Sequence, residues 1–358
     1  MTTEAIGMTG AAGQAATAAN GTRPAGLAPA TVRALDEAGL DPADVVRVVR
    51  SALDEDFRYG PDVTSAATVA GRTLTADVVA REAGVVAGLP VALTVLDLLP
   101  RYLGGVTGDA AEMTGDTSGP AGGTLYPTSP AASPHAAGPG ATATALVPDG
   151  TRVVPGDAVL RVSGDAVVVL GAERTMLNLV THLSGIASAT REWADALAGT
   201  GAVVRDTRKT LPGLRSLQKY AVRCGGGENH RMALGDAALI KDNHVAAAGG
   251  VAAAVRAVRA AARPGLVIEA ECDSVAQVRE ALAAGARFIL LDNMPVPTLR
   301  EAVALARAYD GVRLEASGRL RVADARAVAS AGVDYLSVGS LTHSSRALDL
   351  GLDYSGAN

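Results

Sequence analysis

Aromatic residues are scarce, 3% of 358, with two Phe and one Trp. A core must therefore be built mainly from Ala, Val and Leu, which a 48% hydrophobic content can supply. Cys224 and Cys272 are the two cysteines, with no paired or metal-like spacing. That excludes a disulfide scaffold and fits a reducing compartment. No apolar run approaches the roughly 20 residues needed to span a bilayer. The first basic residue is Arg23, so the cationic start of a secretory leader is missing. A cytoplasmic protein without a membrane partner is expected. Net charge is −5 and no basic patch dominates, which argues against nucleic acid as a partner.

Lysine is the most uneven absence. Of 32 basic residues three are lysines, Lys209, Lys219 and Lys241, all in one stretch. An ammonium is a compact point charge, whereas guanidinium is a planar fork. Either few residues cluster by chance, or two of these sites need an ammonium.

The length suits about two domains. Residues 1–26 read as a disordered tail and 27–183 as an N-terminal domain. Inside it, 104–146 is Gly/Pro/Ser/Thr/Ala-rich without Lys or Arg, and reads as a low-complexity insert. Helices are predicted over 31–38, 44–56 and 90–99, and strands over 73–80 and near 83–88. Compact structure is expected to resume at Val147, with turns at Asp149-Gly150 and Pro155-Gly156-Asp157. A long amphipathic helix is expected from Glu173, with Met176, Leu177, Val180, Leu183 and Ile186 on one face.

From 184 to 344 the pattern becomes strand–helix units. Strands are predicted over 203–207, 237–241, 266–272, 288–291, 312–316 and 335–338, and helices over 251–262, 275–284, 298–308 and 323–331. Strands this apolar indicate a parallel sheet covered by helices. Six of them could close as a barrel or lie open as a doubly wound sheet. The polar residues favour the barrel, because every strand ends in them. They are Asp206, Arg208 and Lys209; Lys241 to His244; Glu269 and Glu271; Asp292 and Asn293; Glu315, Ser317 and Gly318; and Gly339 and Ser340. In a barrel these ends meet at one face, where active sites sit; an open sheet uses mainly its switch point. Carboxylates inside apolar runs are costly unless paired.

The segment 203–244 holds eight basic residues against four acidic ones. It includes Gly225-Gly226-Gly227, a run that lets backbone approach a ligand or another chain closely. Arg215 and Lys219 lie four apart on one helix face, and Lys219 reads as a salt-bridge partner. Ala316-Ser317-Gly318 and Gly339-Ser340 read as a phosphate cup at the last two strands.

The motif DTRKTLPGLRSLQKYAVRCGGGENHRMALGDAALIKDNH (206–244) closely resembles the signature of the quinolinate phosphoribosyltransferase family. So do DEDFRYGPDVTS (54–65), ERTMLNLVTHLSGIAS (173–188), EAECDS (269–274), LLDNM (290–294), LEASG (314–318) and YLSVGSLTHS (335–344). The resemblance covers nearly the whole chain outside the tail and insert. It implies a type II phosphoribosyltransferase-like α/β fold: an N-terminal α/β sandwich, an incomplete six-stranded parallel α/β barrel, and 345–358 packed back on the sandwich. The implied reaction moves phosphoribose from phosphoribosyl pyrophosphate (PRPP) to quinolinate with decarboxylation. Its products are nicotinate mononucleotide, pyrophosphate and CO2, a step of de novo NAD biosynthesis, and it requires Mg2+. A homodimer with shared active sites is implied, with room for a higher assembly.

By the same resemblance Arg174 reaches the neighbouring subunit's site. Arg208, His230, Arg231 and Lys241 line the quinolinate pocket. Lys209 and Lys241 serve the carboxylate–pyrophosphate region, and Glu271 and Asp292 hold ribose hydroxyls and magnesium. Lys209, Lys241, Glu271 and Asp292 carry the catalytic role. Ser317, Gly318, Gly339, Ser340 and His343 surround the phosphate. A dianionic substrate suits guanidinium forks. An oxocarbenium-like sugar carbon needs positioning and charge stabilisation, not a nucleophile. Arg319 departs from the family, which often has a second glycine there. His244 and His343 read as supporting groups. Two rivals remain: a nicotinate phosphoribosyltransferase, and a non-catalytic binder of an anionic molecule.

Overall fold

The computed structural model describes residues 24–103 and 140–357. Most of the expected tail (1–23) and insert (104–139) lies outside the described residues.

Three helices open the described chain: α1 (Pro29–Glu37), α2 (Pro42–Asp56) and α3 (Val63–Thr68). Asp41 and Asp62 cap the last two by accepting backbone N–H groups. Then come β1 (Thr73–Ala80), β2 (Gly84–Val85), α4 (Leu89–Leu98), α5 (Pro100–Leu103), β3 (Thr142–Ala145), β4 (Arg152–Val153) and β5 (Ala158–Asp165). The strand β3 falls inside the expected insert, so compact structure begins before Val147. Its small Thr/Ala residues carry little hydrophobic signal, and it forms by pairing with β5.

The helix α6 (Ala166–Leu197) begins seven residues before the expected Glu173. Asp165 caps it by accepting from Val167 and Val168, and the β-branched run 167–169 looks strand-like in sequence. This helix crosses residue 184 unbroken, so both halves of the chain are built on one strut.

The second half alternates as expected: β6 (Val203–Arg205), α7 (Arg215–Cys224), β7 (Ala237–Ile240), α8 (Asp242–Ala248), α9 (Val251–Ala261), β8 (Val267–Cys272), α10 (Val275–Ala283), β9 (Phe288–Asp292), α11 (Val296–Ala306), β10 (Arg313–Ser317), α12 (Ala325–Ala329), β11 (Tyr335–Ser337), α13 (Ser340–His343) and β12 (Leu350–Ala357). A short 3-10 turn, Val322–Asp324, precedes α12.

The six strands β6 to β11 form one parallel sheet in the order β6-β11-β10-β9-β8-β7. Side chains of separated strands converge on one face of it: the Arg205 guanidinium on β6 lies 5.6 Å from the Phe288 ring centre on β9, three strands away. Closure stops short of β6 and β7, which are edges among the described strands. The segment 228–231 spans that gap. Glu228 forms a parallel bridge to Arg205, and the Arg231 side chain donates to the Ala237 carbonyl at 2.9 Å.

A second sheet, β12-β1-β5-β3, is antiparallel. β1 alternates cleanly: Leu74, Ala76, Val78 and Ala80 are buried, the pattern of a sheet with one covered face. β12 belongs to this sheet, so the chain end returns to the N-terminal half. Its route crosses α6 at Gly185, where a Cβ would lie 2.0 Å from the Arg346 carbonyl oxygen. Gly185→Ala is therefore expected to cost about 1–3 kcal/mol through overpacking. Thermal denaturation followed by circular dichroism would read this as a lower midpoint; an unchanged midpoint would refute the close crossing.

Candidate active site

The strand ends sit on one face because all six strands are parallel. On β8, Glu269 and Glu271 point into the same interior space, being two residues apart. Glu271 is the outer of the two and half-buried. Burial pushes its carboxyl up and Lys241 opposes that, while Asp292, Asp242 and Glu269 add to it. Glu271, Lys241 and Asp292 therefore share one neighbourhood. Asp292 and Ser317 are register partners on β9 and β10.

The cup loops adjoin them. A Cβ on Gly339 would lie 3.0 Å from Lys209 Cδ and 3.4 Å from His343 Nε2, so Lys209, Gly339 and His343 are gathered. Gly318 has φ +97 and faces Asn293, whose Oδ1 a Cβ would meet at 2.2 Å. Arg319 follows with φ 45, a left-handed conformation that a glycine adopts without strain. Ser340 opens α13 directly after Gly339. His244 turns out to be a cap: its Nδ1 accepts the Lys241 N–H at 2.9 Å.

The cationic side is built by the gap-spanning segment. Asp206 and Lys219 are both fully buried and paired with each other. Asp206 also accepts the His230 N–H at 2.9 Å and the Asn229 amide at 2.6 Å. Lys219 also donates to the His230 carbonyl at 2.8 Å. Burial pushes the Asp206 carboxyl up and the Lys219 ammonium down, and their mutual attraction opposes both shifts. Lys219 is thus a structural partner, as the sequence suggested. The pair delivers His230 and Arg231 to the barrel mouth. Arg231 lies close enough to Arg208 to feel its charge; burial lowers its pKa and Arg208 adds to that. The buried Nε of Arg208 has no hydrogen-bond partner among the described residues.

The glycine run serves the scaffold. Cβ atoms on Gly225 and Gly227 would lie 2.5 and 2.8 Å from Thr190 of α6. These glycines let the segment approach the chain's own helix.

Arg174 stands apart. It lies on α6 with its side chain 73% exposed, paired to the adjacent Glu173. It precedes His182 by eight residues, about 12 Å along the helix axis. His182 is the α6 residue that meets the mouth's supporting network, through Gln218 at 2.8 Å.

Gln218 itself escaped the sequence reading. Fully buried, it accepts the Leu211 N–H at 2.9 Å and donates to the Thr342 carbonyl at 2.9 Å. Thr342 in turn donates to the Lys209 carbonyl at 2.9 Å. This chain ties the loop after β6 to α13. Its one sequence signal is a lone amide inside an amphipathic helix.

Beneath the mouth lies a charged layer. Arg205 donates to Glu315 at 2.9 Å and to the Asn229 carbonyl at 3.1 Å. Its guanidinium lies 4.4 Å from the Tyr335 ring centre. His230, Glu269 and Glu315 bring ligand-type atoms within 4.8 Å of one another, the spacing of a metal site. A cation is already supplied there by Arg205, which pairs with Glu315, while the buried Oε1 atoms of Glu269 and Glu315 have no hydrogen-bond partner among the described residues. Burial pushes the Glu269 carboxyl up to about 7 and the His230 imidazole down to about 4.

A parallel open barrel with a cationic, carboxylate-flanked mouth defines an enzyme for an anionic substrate. The quinolinate phosphoribosyl transferase C-terminal domain matches residues 186–353 and the corresponding N-terminal domain residues 129–184. The nicotinate-nucleotide pyrophosphorylase (carboxylating) of Mycobacterium leprae is 51% identical over 308 residues, 85% of this chain and 95% of that protein. The Homo sapiens protein of that name is 40% identical over 210 residues, 58% of this chain and 71% of that one. The solved nicotinate-nucleotide pyrophosphorylase of Francisella tularensis is 32% identical and superposes with a TM-score of 0.74, covering 88% of this chain and 98% of that one. The chain belongs to the quinolinate phosphoribosyltransferase family.

Because Lys219 neutralises a buried carboxylate, Lys219→Met is expected to lose about 3–5 kcal/mol of stability. Urea denaturation would measure it, and a loss below about 1 kcal/mol would place the pair among ordinary surface bridges.

Proposed function

We propose that this chain transfers phosphoribose from PRPP to quinolinate and releases CO2, forming nicotinate mononucleotide and pyrophosphate. The observation that carries this reading is the unpartnered, buried Nε of Arg208 at a mouth shared with Arg231. A buried guanidinium donor without a partner is costly, and a pyridine dicarboxylate answers it with bidentate acceptors. Lys241 reaches the same ligand from β7. Lys209, with Ser317, Gly318, Gly339, Ser340 and His343, faces the phosphate end.

Glu271 and Asp292 suit Mg2+. Both are oxygen donors at adjacent strand ends, and the carboxylates crowded around Glu271 favour a cation there. Bound magnesium would neutralise charge on the departing pyrophosphate. The protein's own part is positioning. Arg208 and Arg231 hold the carboxylates so that the ring nitrogen faces the sugar carbon, while Lys209 and Lys241 stabilise negative charge at the leaving side. Once the nitrogen is quaternised, the ring itself stabilises the carbanion left at C2 as CO2 departs, so no side-chain nucleophile is required.

We assign Arg174 to the partner subunit's mouth in a homodimer. It is exposed and paired with the adjacent Glu173. Beside it, next to Glu173, a hollow of about 300 Å³ is lined by Val69, Leu74, Leu170, Leu352 and Tyr354, apolar surface of the kind that subunit contacts cover. As for location, no helix among the described residues is long and apolar enough to cross a membrane; a cytoplasmic site of action is part of this proposal.

Quinolinate labelled at its 2-carboxylate, incubated with PRPP and Mg2+, is expected to yield labelled CO2 and nicotinate mononucleotide in equal amounts. Turnover of nicotinate without CO2, or binding without turnover, would overturn the reading. Arg174→Ala and Lys241→Ala are each expected to lose at least about 100-fold in kcat/KM, roughly 2.7 kcal/mol. Mixing the two variants should restore up to about a quarter of wild-type activity, because one subunit pairing in a two-fold dimer carries an intact site. No recovery in verified mixed dimers would sink the shared-site assignment.

A further inference from the structure

The buried layer under the mouth has a feature that the proposed reaction does not use. His230 has both ring nitrogens engaged inside the protein. Its Nδ1 accepts the Arg231 backbone N–H at 2.8 Å. A nitrogen that accepts carries no proton, so in the neutral ring the proton sits on Nε2. Nε2 faces Glu269 Oε2 at 2.8 Å and Glu315 Oε1 at 3.5 Å. Its backbone is held as firmly, by Asp206 on the N–H and Lys219 on the carbonyl. Glu315 is anchored in turn by Arg205 at 2.9 Å, and both glutamates are at least 95% buried at the side chain.

We infer that Glu269, backed by Glu315, is a positioning residue for the pyridine pocket: it locks His230 in the Nε2–H tautomer, so that His230 meets its ligand through the ring's carbon edge or face and donates no hydrogen bond to it. This refines the pocket assignment of His230 and rests on the quinolinate reading. The lock explains two observations together. Two buried carboxylates face the ring of His230. Its Nδ1 is capped by the backbone of Arg231, the residue whose guanidinium works at the mouth, so the ring and that arginine are set as one unit. The imidazole's depressed pKa agrees, since a neutral ring is what the lock requires.

The test has an arm independent of turnover. Long-range proton–nitrogen correlation NMR at pH 7 on the full-length protein, with His230 assigned by its loss in His230→Asn, is expected to show a single neutral Nε2–H tautomer. An Nδ1–H tautomer, a mixture, or a charged ring would overturn the inference whatever the enzyme's substrate proves to be. In the kinetic arm, Glu269→Leu removes the nearer carboxylate oxygen facing Nε2 and is expected to raise KM for quinolinate about tenfold. KM for PRPP should stay within about twofold on the same scale. Glu269→Gln keeps an acceptor oxygen and should recover most of the loss, with the tautomer signal preserved. Equal changes in both KM values, or a Gln variant as poor as Leu with the tautomer intact, would also overturn it. If the wild-type chain shows the locked tautomer but never turns over quinolinate, the functional reading fails and the lock stands.

Discussion

The site depends on one buried ion pair, Asp206 with Lys219. Two charges at zero exposure are expensive to remove from water, and an apolar pair of equal volume would often be as stable. The difference here is what else they bind. The segment 228–231 enters the gap between β6 and β7 without a ladder partner on both sides. Its backbone groups would be orphaned in a buried place. Asp206 takes the His230 N–H and the Asn229 amide, and Lys219 takes the His230 carbonyl. The pair therefore replaces the missing strand contacts of an unclosed barrel. Without it Arg231 and His230 would have no fixed place at the mouth.

A second constraint is electrostatic layering. The strand-end face carries Arg208, Arg231, Lys209 and Lys241, yet Glu269 and Glu315 lie below. Under the proposed function, bare carboxylates there would repel a dianionic substrate. Arg205 cancels much of that charge through Glu315, and it is held by Asn229's carbonyl and the rings of Phe288 and Tyr335. The only two phenylalanines in the chain are Phe57 and Phe288, so one of a very small aromatic stock is committed to this cation. Burial also raises both carboxyls, which lowers the negative charge the mouth must overcome.

The sequence revealed those parts of the site that are local. Strand ends are local: Glu271, Asp292, Ser317, Gly339 and Lys209 each follow an apolar run, and parallel strands bring such ends to one face. The spacing of Lys219 within an amphipathic helix was enough to mark it as structural. What stayed hidden depends on long-range partners. Arg205 looked like one base among eight, because its aromatic and carboxylate contacts come from three other strands. Gln218 works through a carbonyl of α13 that lies 124 residues away in sequence. The glycine run looked equally suited to a ligand, and only its packing on Thr190 of α6 decides otherwise. The early start of α6 was masked by three valines whose strand preference is overruled by the Asp165 cap.

The strut α6 adds a geometric consequence. Its C-terminal half packs against the glycine run, its middle residue His182 joins the Gln218 network, and its N-terminal half carries Arg174. These positions are fixed relative to one another by helix geometry, at 1.5 Å per residue. The backbone of Arg174 is therefore held in place by the helix on which both halves of the fold are built. Under the proposed function, a two-fold contact would exploit that rigidity: a mouth brought to Arg174 would meet a guanidinium whose anchor is already fixed by the strut.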